Sequence, residues 1–167
     1  MISVVMATYN GAEFILEQLD SIRTQKLKPD QVIICDDCST DQTVVLIKDY
    51  ITKHQLTDWQ LLENQENLGH YRTFIKLASL AEHDIVFFAD QDDKTAALQK
   101  VLLETGAAMV YGQSYLIDQN GQVIKEPKVS GECQERNLAW LLKNWPSGYQ
   151  TAFRKSVLTD ILQQQYT

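Results

Sequence analysis

The sequence predicts an α/β fold built on a mostly parallel sheet flanked by helices, with an antiparallel edge in the C-terminal part. Three observations carry this expectation. Short β-branched apolar runs alternate with longer segments of helical spacing, the pattern of βαβ units. One run, Asp84-Ile85-Val86-Phe87-Phe88-Ala89, is almost continuously apolar, as expected for a central strand covered on both faces. Polar clusters follow three of the predicted strands instead of being scattered along the chain.

The elements follow in order. Ile2 to Ala7 reads as a buried strand, and Phe14, Ile15, Leu19 and Ile22 recur at helical spacing until Lys28-Pro29-Asp30 breaks the pattern. Gln31 to Cys35 is the second strand. Ser39-Thr40-Asp41-Gln42 has the form of a capping box, and Val44, Ile47 and Ile51 follow on one helical face. Trp59 to Glu63 is a third strand, Asn64 to Gly69 a polar turn, and Phe74, Leu77, Ala78 and Ala81 share the face of a third helix. After the fourth strand the rhythm changes. A short helix is expected from Thr95 to Thr105 and a strand from Ala107 to Tyr115, with the turn Asp118-Gln119-Asn120-Gly121 leading to Val123-Ile124 as a hairpin-like edge. Lys125 to Glu135 reads as a mobile surface loop. Helical segments are expected around Leu138 to Leu142 and from Lys155 to Gln164, while Tyr149 to Phe153 is ambiguous.

Composition bounds the function. A chain of 167 residues, 44% of them apolar, is the size of one domain and buries roughly 70% of its unfolded surface without staples. The formal charge of −7 disfavours nucleic acid or an anionic membrane as the main partner, and an anionic ligand would need a metal or local help. The N-terminal run has no basic n-region and turns polar at Thr8, and no apolar run approaches the roughly 20 residues of a bilayer span. A cytoplasmic chain is expected, with any membrane association peripheral. Cys35, Cys38 and Cys133 read as free thiols, and Cys35-Asp36-Asp37-Cys38 as a coincidental Cys-x-x-Cys, because no further Cys or His completes a zinc site.

Ligands of open parallel sheets bind beyond the carboxyl ends of the strands. Thr8-Tyr9-Asn10-Gly11, Asp36-Asp37 and Asp90-Gln91-Asp92-Asp93 should therefore meet on one edge. Asp90 and Asp92, if extended, project to the same side. At a separation of ~6 Å and an effective dielectric of ~20 two such charges repel by roughly 3 kcal/mol, which argues for a cation between them. Hard oxygen ligands suit magnesium or manganese shared with substrate phosphates, although Asp92 or Asp93 capping the next helix is the plainer alternative. Asp36 is placed to accept hydrogen bonds from a base or ribose. Asp37 and Asp41 read equally well as turn residues, and Asn10-Gly11 as the turn opening the first helix. Thr8 and Tyr9 offer a hydroxyl and a flat ring. Arg72 is a cation near the same edge, as often solvated as ligand-bound. His54 and His83 read as ordinary surface or turn residues, and Asn67-Leu68-Gly69 as the cap of the third helix.

Val4-Val5-Met6-Ala7-Thr8-Tyr9-Asn10-Gly11, Ile34-Cys35-Asp36-Asp37-Cys38-Ser39-Thr40-Asp41, Asn67-Leu68-Gly69 and Phe88-Ala89-Asp90-Gln91-Asp92-Asp93 together resemble glycosyltransferase family 2, whose members have the Rossmann-like GT-A fold. Asp90 to Asp93 and the stretch Ser147 to Lys155 resemble its rhamnosyltransferase-like members. The resemblance implies that Thr8, Tyr9 and Asp36 hold the nucleotide, with Arg72 a weaker contact. Asp90 and Asp92 would form the DxD element, binding the ribose and a Mn2+ or Mg2+ that bridges the diphosphate. It implies an inverting transfer from a UDP- or dTDP-linked sugar donor to a glycan or lipid-linked acceptor in cell-surface polysaccharide synthesis, at the inner face of the membrane.

The chain also departs from the family pattern. Ala7 stands where proline is usual, and Asp93 runs directly into Lys94-Thr95-Ala96-Ala97, without the Trp and Lys-Leu pair expected there. The catalytic base normally lies beyond the stretch matching Ser147 to Lys155, and Asp118, Glu126, Glu132 and Asp160 match no base motif. One domain over 1–167 is therefore expected, with a nucleotide-binding half at 1–93 and a truncated acceptor-side half at 94–167. The alternative is a nucleotide-sugar-binding module that lacks the base-bearing segment. A magnesium-dependent nucleotidyl transferase is disfavoured because Thr8 to Gly11 is not a Gly-rich phosphate loop, and a receiver domain because the acidic pair follows the second strand.

Overall fold

In a computed structural model the described residues are 1–91, 109–111, 116–117, 123–125 and 151–156. Four parallel strands, β1 (Ile2–Thr8), β2 (Gln31–Asp36), β3 (Trp59–Glu63) and β4 (Ile85–Ala89), alternate with helices α1 (Ile15–Arg23), α2 (Thr43–Lys53) and α3 (His70–Leu80). They lie in the order β3-β2-β1-β4. Beyond β4, strand β8 (Thr151–Arg154) runs antiparallel to β4 and to β5 (Met109–Tyr111). Strands β6 (Leu116–Ile117) and β7 (Val123–Lys125) form a separate antiparallel pair. The sequence leaves Tyr149 to Phe153 ambiguous because a four-residue strand gives periodicity little to act on; in the structure Thr151 to Phe153 belong to β8, between β4 and β5. The expected helices at 95–105 and 138–142, the turn at 118–121, most of the loop at 125–135 and the helix beyond 156 lie outside the described residues.

The two-residue alternation of the strands divides the core. Val4, Met6, Val32, Ile34, Ile85 and Phe87 pack against Ile15, Leu19 and Ile22 of α1 and Ile47 and Tyr50 of α2. Val5, Ala7, Ile33, Cys35, Val86 and Phe88 pack against Phe74, Leu77 and Ala78 of α3. Both faces of the sheet are covered, which explains why β4 tolerates no polar residue. The α1–α2 seam closes on Tyr50, whose hydroxyl donates to Asp20 and accepts from Arg23 Nε. Burial and then the Asp20 carboxylate push the Tyr50 hydroxyl up to about 12.

Two local expectations are corrected. Phe14 does not join the buried stripe of α1: it precedes the helix and is exposed, and the first turn is held by Gly11 C=O, which accepts from the Phe14 and Ile15 N–H groups. Ser39 to Gln42 does not form a capping box. The Ser39 hydroxyl bonds Asp36, and Asp41 Oδ1 instead accepts from the Thr43 N–H and hydroxyl at the start of α2.

Candidate functional site

Strand parity continues past the ends of the strands and sorts the acidic residues. In β2 the even positions face α1 and α2 and the odd positions face α3, so the adjacent Asp36 and Asp37 turn to opposite sides. Asp36 Oδ1 accepts from Thr8 Oγ1 at 2.9 Å and Ser39 Oγ at 2.6 Å, and Oδ2 accepts from the Ser39 N–H at 2.8 Å. Thr8 and Asp36 are register partners across β1 and β2, and both are only 2% exposed. Asp37 turns toward α3. Its carboxylate accepts from Asn64 Nδ2 at 2.7 Å and from the Leu68 and Gly69 N–H groups at 2.9 and 2.8 Å. Burial works to raise the Asp37 carboxyl, but these hydrogen bonds outweigh it and hold the group below the usual carboxylate range. Asp37 thus clamps the 64–69 turn.

The loop after β1 is laced to the loop after β2. The Asn10 N–H donates to Ser39 Oγ, Asn10 Oδ1 accepts from the Thr40 N–H, and the Ala12 N–H donates to Asp41 Oδ2. On β4 the same parity rule separates Asp90 from Gln91. Asp90 lies on the α3 side, where its Oδ1 is 3.0 Å from His70 Nε2. Gln91 lies on the α1 side and bonds the Tyr9 backbone twice, accepting from its N–H at 2.9 Å and donating to its C=O at 3.1 Å.

Between these arms is an open cleft of about 650 Å³, bounded by Thr8, Tyr9, Asn67, His70, Asp90 and Gln91 among others. It stands at the carboxyl edge of β1 and β4, where a parallel sheet places its ligands. Of the residues singled out from the sequence, Thr8, Tyr9 and Asp90 line it. Tyr9 is 49% exposed. Asp36 is enclosed behind Thr8 and does not line the cleft, and Arg72 is exposed on α3 outside the lining. Asp92 lies outside the described residues. Sequence reasoning missed His70 and Gln91 as lining residues. Strand parity carried two residues beyond Ala89 locates Gln91, whereas His70 is placed by its position as the first residue of α3, 3.0 Å from Asp90. Cys35 is buried and Cys38 partly so, both as free thiols against Asn64.

Fold and cleft together define a GT-A-type α/β domain. The chain belongs to glycosyl transferase family 2, whose model matches residues 3–162. It is 34% identical over 110 residues to the poly(ribitol-phosphate) beta-N-acetylglucosaminyltransferase TarS of Staphylococcus aureus, covering 65% of this chain and 18% of that protein. It is 35% identical over 92 residues to the dTDP-rhamnosyl transferase RfbG of Shigella flexneri, covering 53% and 32%. In fold it matches S. aureus TarS 1–349 in complex with UDP-GlcNAc, with a TM-score of 0.65 and 24% identity over 96% of this chain and 47% of the other. The mannosyltransferase PcManGT of Pyrobaculum calidifontis, in complex with GDP-Man and Mn2+, matches with a TM-score of 0.66 and 21% identity, covering 96% and 46%. The chain spans less than half the length of each of these relatives.

Proposed function

We propose that the chain forms the donor-binding part of an inverting, metal-dependent glycosyltransferase that uses a UDP- or dTDP-linked sugar in cell-surface polysaccharide synthesis. The observation that carries this reading is the single cleft shared by the Thr8-Tyr9 arm and Asp90, on the edge of the sheet where nucleotides bind. The family match and the sugar-nucleotide ligands of the TarS and PcManGT structures support it. In this reading the Tyr9 ring and the β1 edge receive the base and ribose, Asp36 fixes Thr8 from behind, and Asp90 faces the diphosphate. Arg72, exposed on α3 and outside the lining, is the weaker candidate contact.

The donor set suits magnesium or manganese. Among the described residues no three His, Cys, Asp or Glu side chains gather into an all-protein cage, and such ions are commonly held by one or two carboxylates plus substrate phosphates. Asp90 would be one ligand and Asp92 the second. When bound, the cation supplies positive charge that stabilises the leaving diphosphate. The base that deprotonates the acceptor hydroxyl is not assigned, and Asp118, Glu126, Glu132 and Asp160 lie outside the described residues. Among the described residues no helix is long and apolar enough to cross a membrane. A lipid-linked or glycan acceptor would be met at the inner face of the membrane.

The test is calorimetric titration with UDP, dTDP and GDP, with and without Mn2+, followed by diphosphate release from the matching nucleotide sugar. Manganese-dependent binding of UDP or dTDP is expected. Failure of all three nucleotides to bind overturns the reading, and binding without diphosphate release identifies a nucleotide-sugar-binding module instead.

A further inference from the structure

The geometry points to Gln91 as a positioning residue that latches the Asp90 segment to the Tyr9 segment and sets the span across which a nucleoside diphosphate is held; this rests on the donor-binding reading above. Backbone pairing of β1 with β4 ends at Met6 and Ala89. Two residues later the Gln91 side chain takes the place of a strand. Its carbonyl oxygen accepts from the Tyr9 N–H and its amide nitrogen donates to the Tyr9 C=O, the two bonds a neighbouring peptide would make. A carboxamide offers a neutral acceptor and a donor side by side on one planar head, matched to the N–H and C=O of one residue.

Gly11 supplies a second, independent observation. A Cβ built there would stand 2.3 Å from Gln91 Oε1 and 2.5 Å from Cδ, so a side chain at position 11 would displace the carboxamide from where it rests. Nor is that backbone free to retreat: the Gly11 N–H donates to the buried Thr43 Oγ1 at 2.8 Å. Gln91 is therefore gripped by Tyr9 and seated on Gly11. Asp90, the preceding residue, is fixed in relation to the Tyr9 ring across the cleft.

A ligand that touches only the β1 arm gains little from a fixed span. One that reaches from Tyr9 to a cation at Asp90 gains the ordering already in place, and without the latch it must supply that ordering on binding. The expected signature is selective.

The full chain is titrated with UDP plus Mn2+ and with UMP alone, in native form and as Gln91→Ala, Gln91→Met, Gly11→Ala and Gly11→Ala/Gln91→Ala. Each single variant is expected to weaken UDP plus Mn2+ about tenfold, the scale of one or two net hydrogen bonds, while UMP changes by less than about twofold. The double variant should lose no more than either single, because the three atoms nearest a Cβ at position 11 all belong to the Gln91 carboxamide that the second substitution removes. Gln91→Met keeps the volume and loses both bonds, so native affinity in that variant would overturn the latch. Equal losses for UDP and UMP, or losses that multiply in the double variant, would also overturn it. Hydrogen exchange at the Tyr9 amide reads the latch without any ligand: exchange at least about tenfold faster in Gln91→Met is expected, and unchanged protection counts against it. Native chain that binds no nucleotide removes the donor-binding reading, whereas native binding with indifferent variants removes the latch alone.

Discussion

His70, the first residue of α3, and Asp90, the first residue after β4, meet at 3.0 Å between Nε2 and Oδ1. The contact joins the two sides of the cleft nearest α3. His70 is oriented from behind by the edge of Phe74, with ring centroids 4.7 Å apart, and Phe74 in turn packs on Phe88 of β4. Core packing thus reaches the carboxylate through one imidazole. His70 thereby engages one oxygen of a carboxylate that lines the cleft.

It follows that His70→Ala weakens manganese-dependent nucleoside diphosphate binding by roughly fivefold, the scale of one partly exposed hydrogen bond. His70→Gln, which keeps a polar head near Asp90, should recover most of the loss. Calorimetry at a temperature well below unfolding measures both. Equal affinity of native and Ala forms would show that Asp90 needs no support from α3.

Asp37 is a structural clamp, and its removal should be felt throughout the 64–69 turn. Asp37→Asn keeps one acceptor but turns its NH2 either toward the Gly69 N–H or toward the Leu68 N–H and Asn64 Nδ2, for an expected loss of about 2 kcal/mol in urea unfolding at neutral pH. The pH dependence has a definite sign. The folded carboxyl lies below its ordinary value, while the unfolded group titrates near ~3.9. Its stabilising contribution is complete above the unfolded value and is lost as pH falls from there through the folded value. The gap between native and Asp37→Asn should therefore narrow from pH 6 to pH 3, and a gap that widens would contradict the clamp.

The sheet could be read from the sequence because its strands are short, apolar and bounded by breakers; β3 and the cores of β1, β2 and β4 need only periodicity. The acidic clusters were equally visible, but their partners were not. Asp36 and Asp37 look alike as neighbours in sequence, yet one holds Thr8 and Ser39 and the other holds Asn64 and Gly69, because a strand turns successive side chains to opposite faces. Gln91 could not be seen as a latch without the register that brings it beside Tyr9. Ser39 has the spacing of a cap, but the tertiary demand of a buried carboxylate outweighs a local helix signal. Phe14 sits on the helical period and is nonetheless outside the helix, since Gly11 sets where α1 begins.

The two described glycines of the site are constrained for different reasons, and substitution should separate them. Gly69 has φ +79° and ψ 156°, and nothing lies within 4 Å of a Cβ built there. That backbone region is nearly exclusive to glycine, so Gly69→Ala should cost about 1–3 kcal/mol through strain alone. Asn tolerates the left-handed helical region but not this one, so Gly69→Asn should be no better in thermal or urea unfolding. Recovery by Asn would mean that the turn relaxes to another conformation.

The acidic motif after β4 gives the most direct check on metal dependence. If Asp90 and Asp92 hold a cation only together with a diphosphate, Mn2+ alone should raise the melting temperature little, UDP or dTDP alone little, and the pair by several degrees, as mass action on a ligand that binds only the folded chain requires. Asp92→Ala should abolish the joint shift while leaving the ligand-free melting temperature near native. Asp90→Asn should reduce the shift strongly, because it removes a charge facing the cleft but retains an acceptor for His70. A joint shift that survives in Asp92→Ala would remove that residue from the metal site. Survival in both variants would place the cation elsewhere, because Asp37, the other carboxylate lining the cleft among the described residues, is already occupied by Asn64, Leu68 and Gly69.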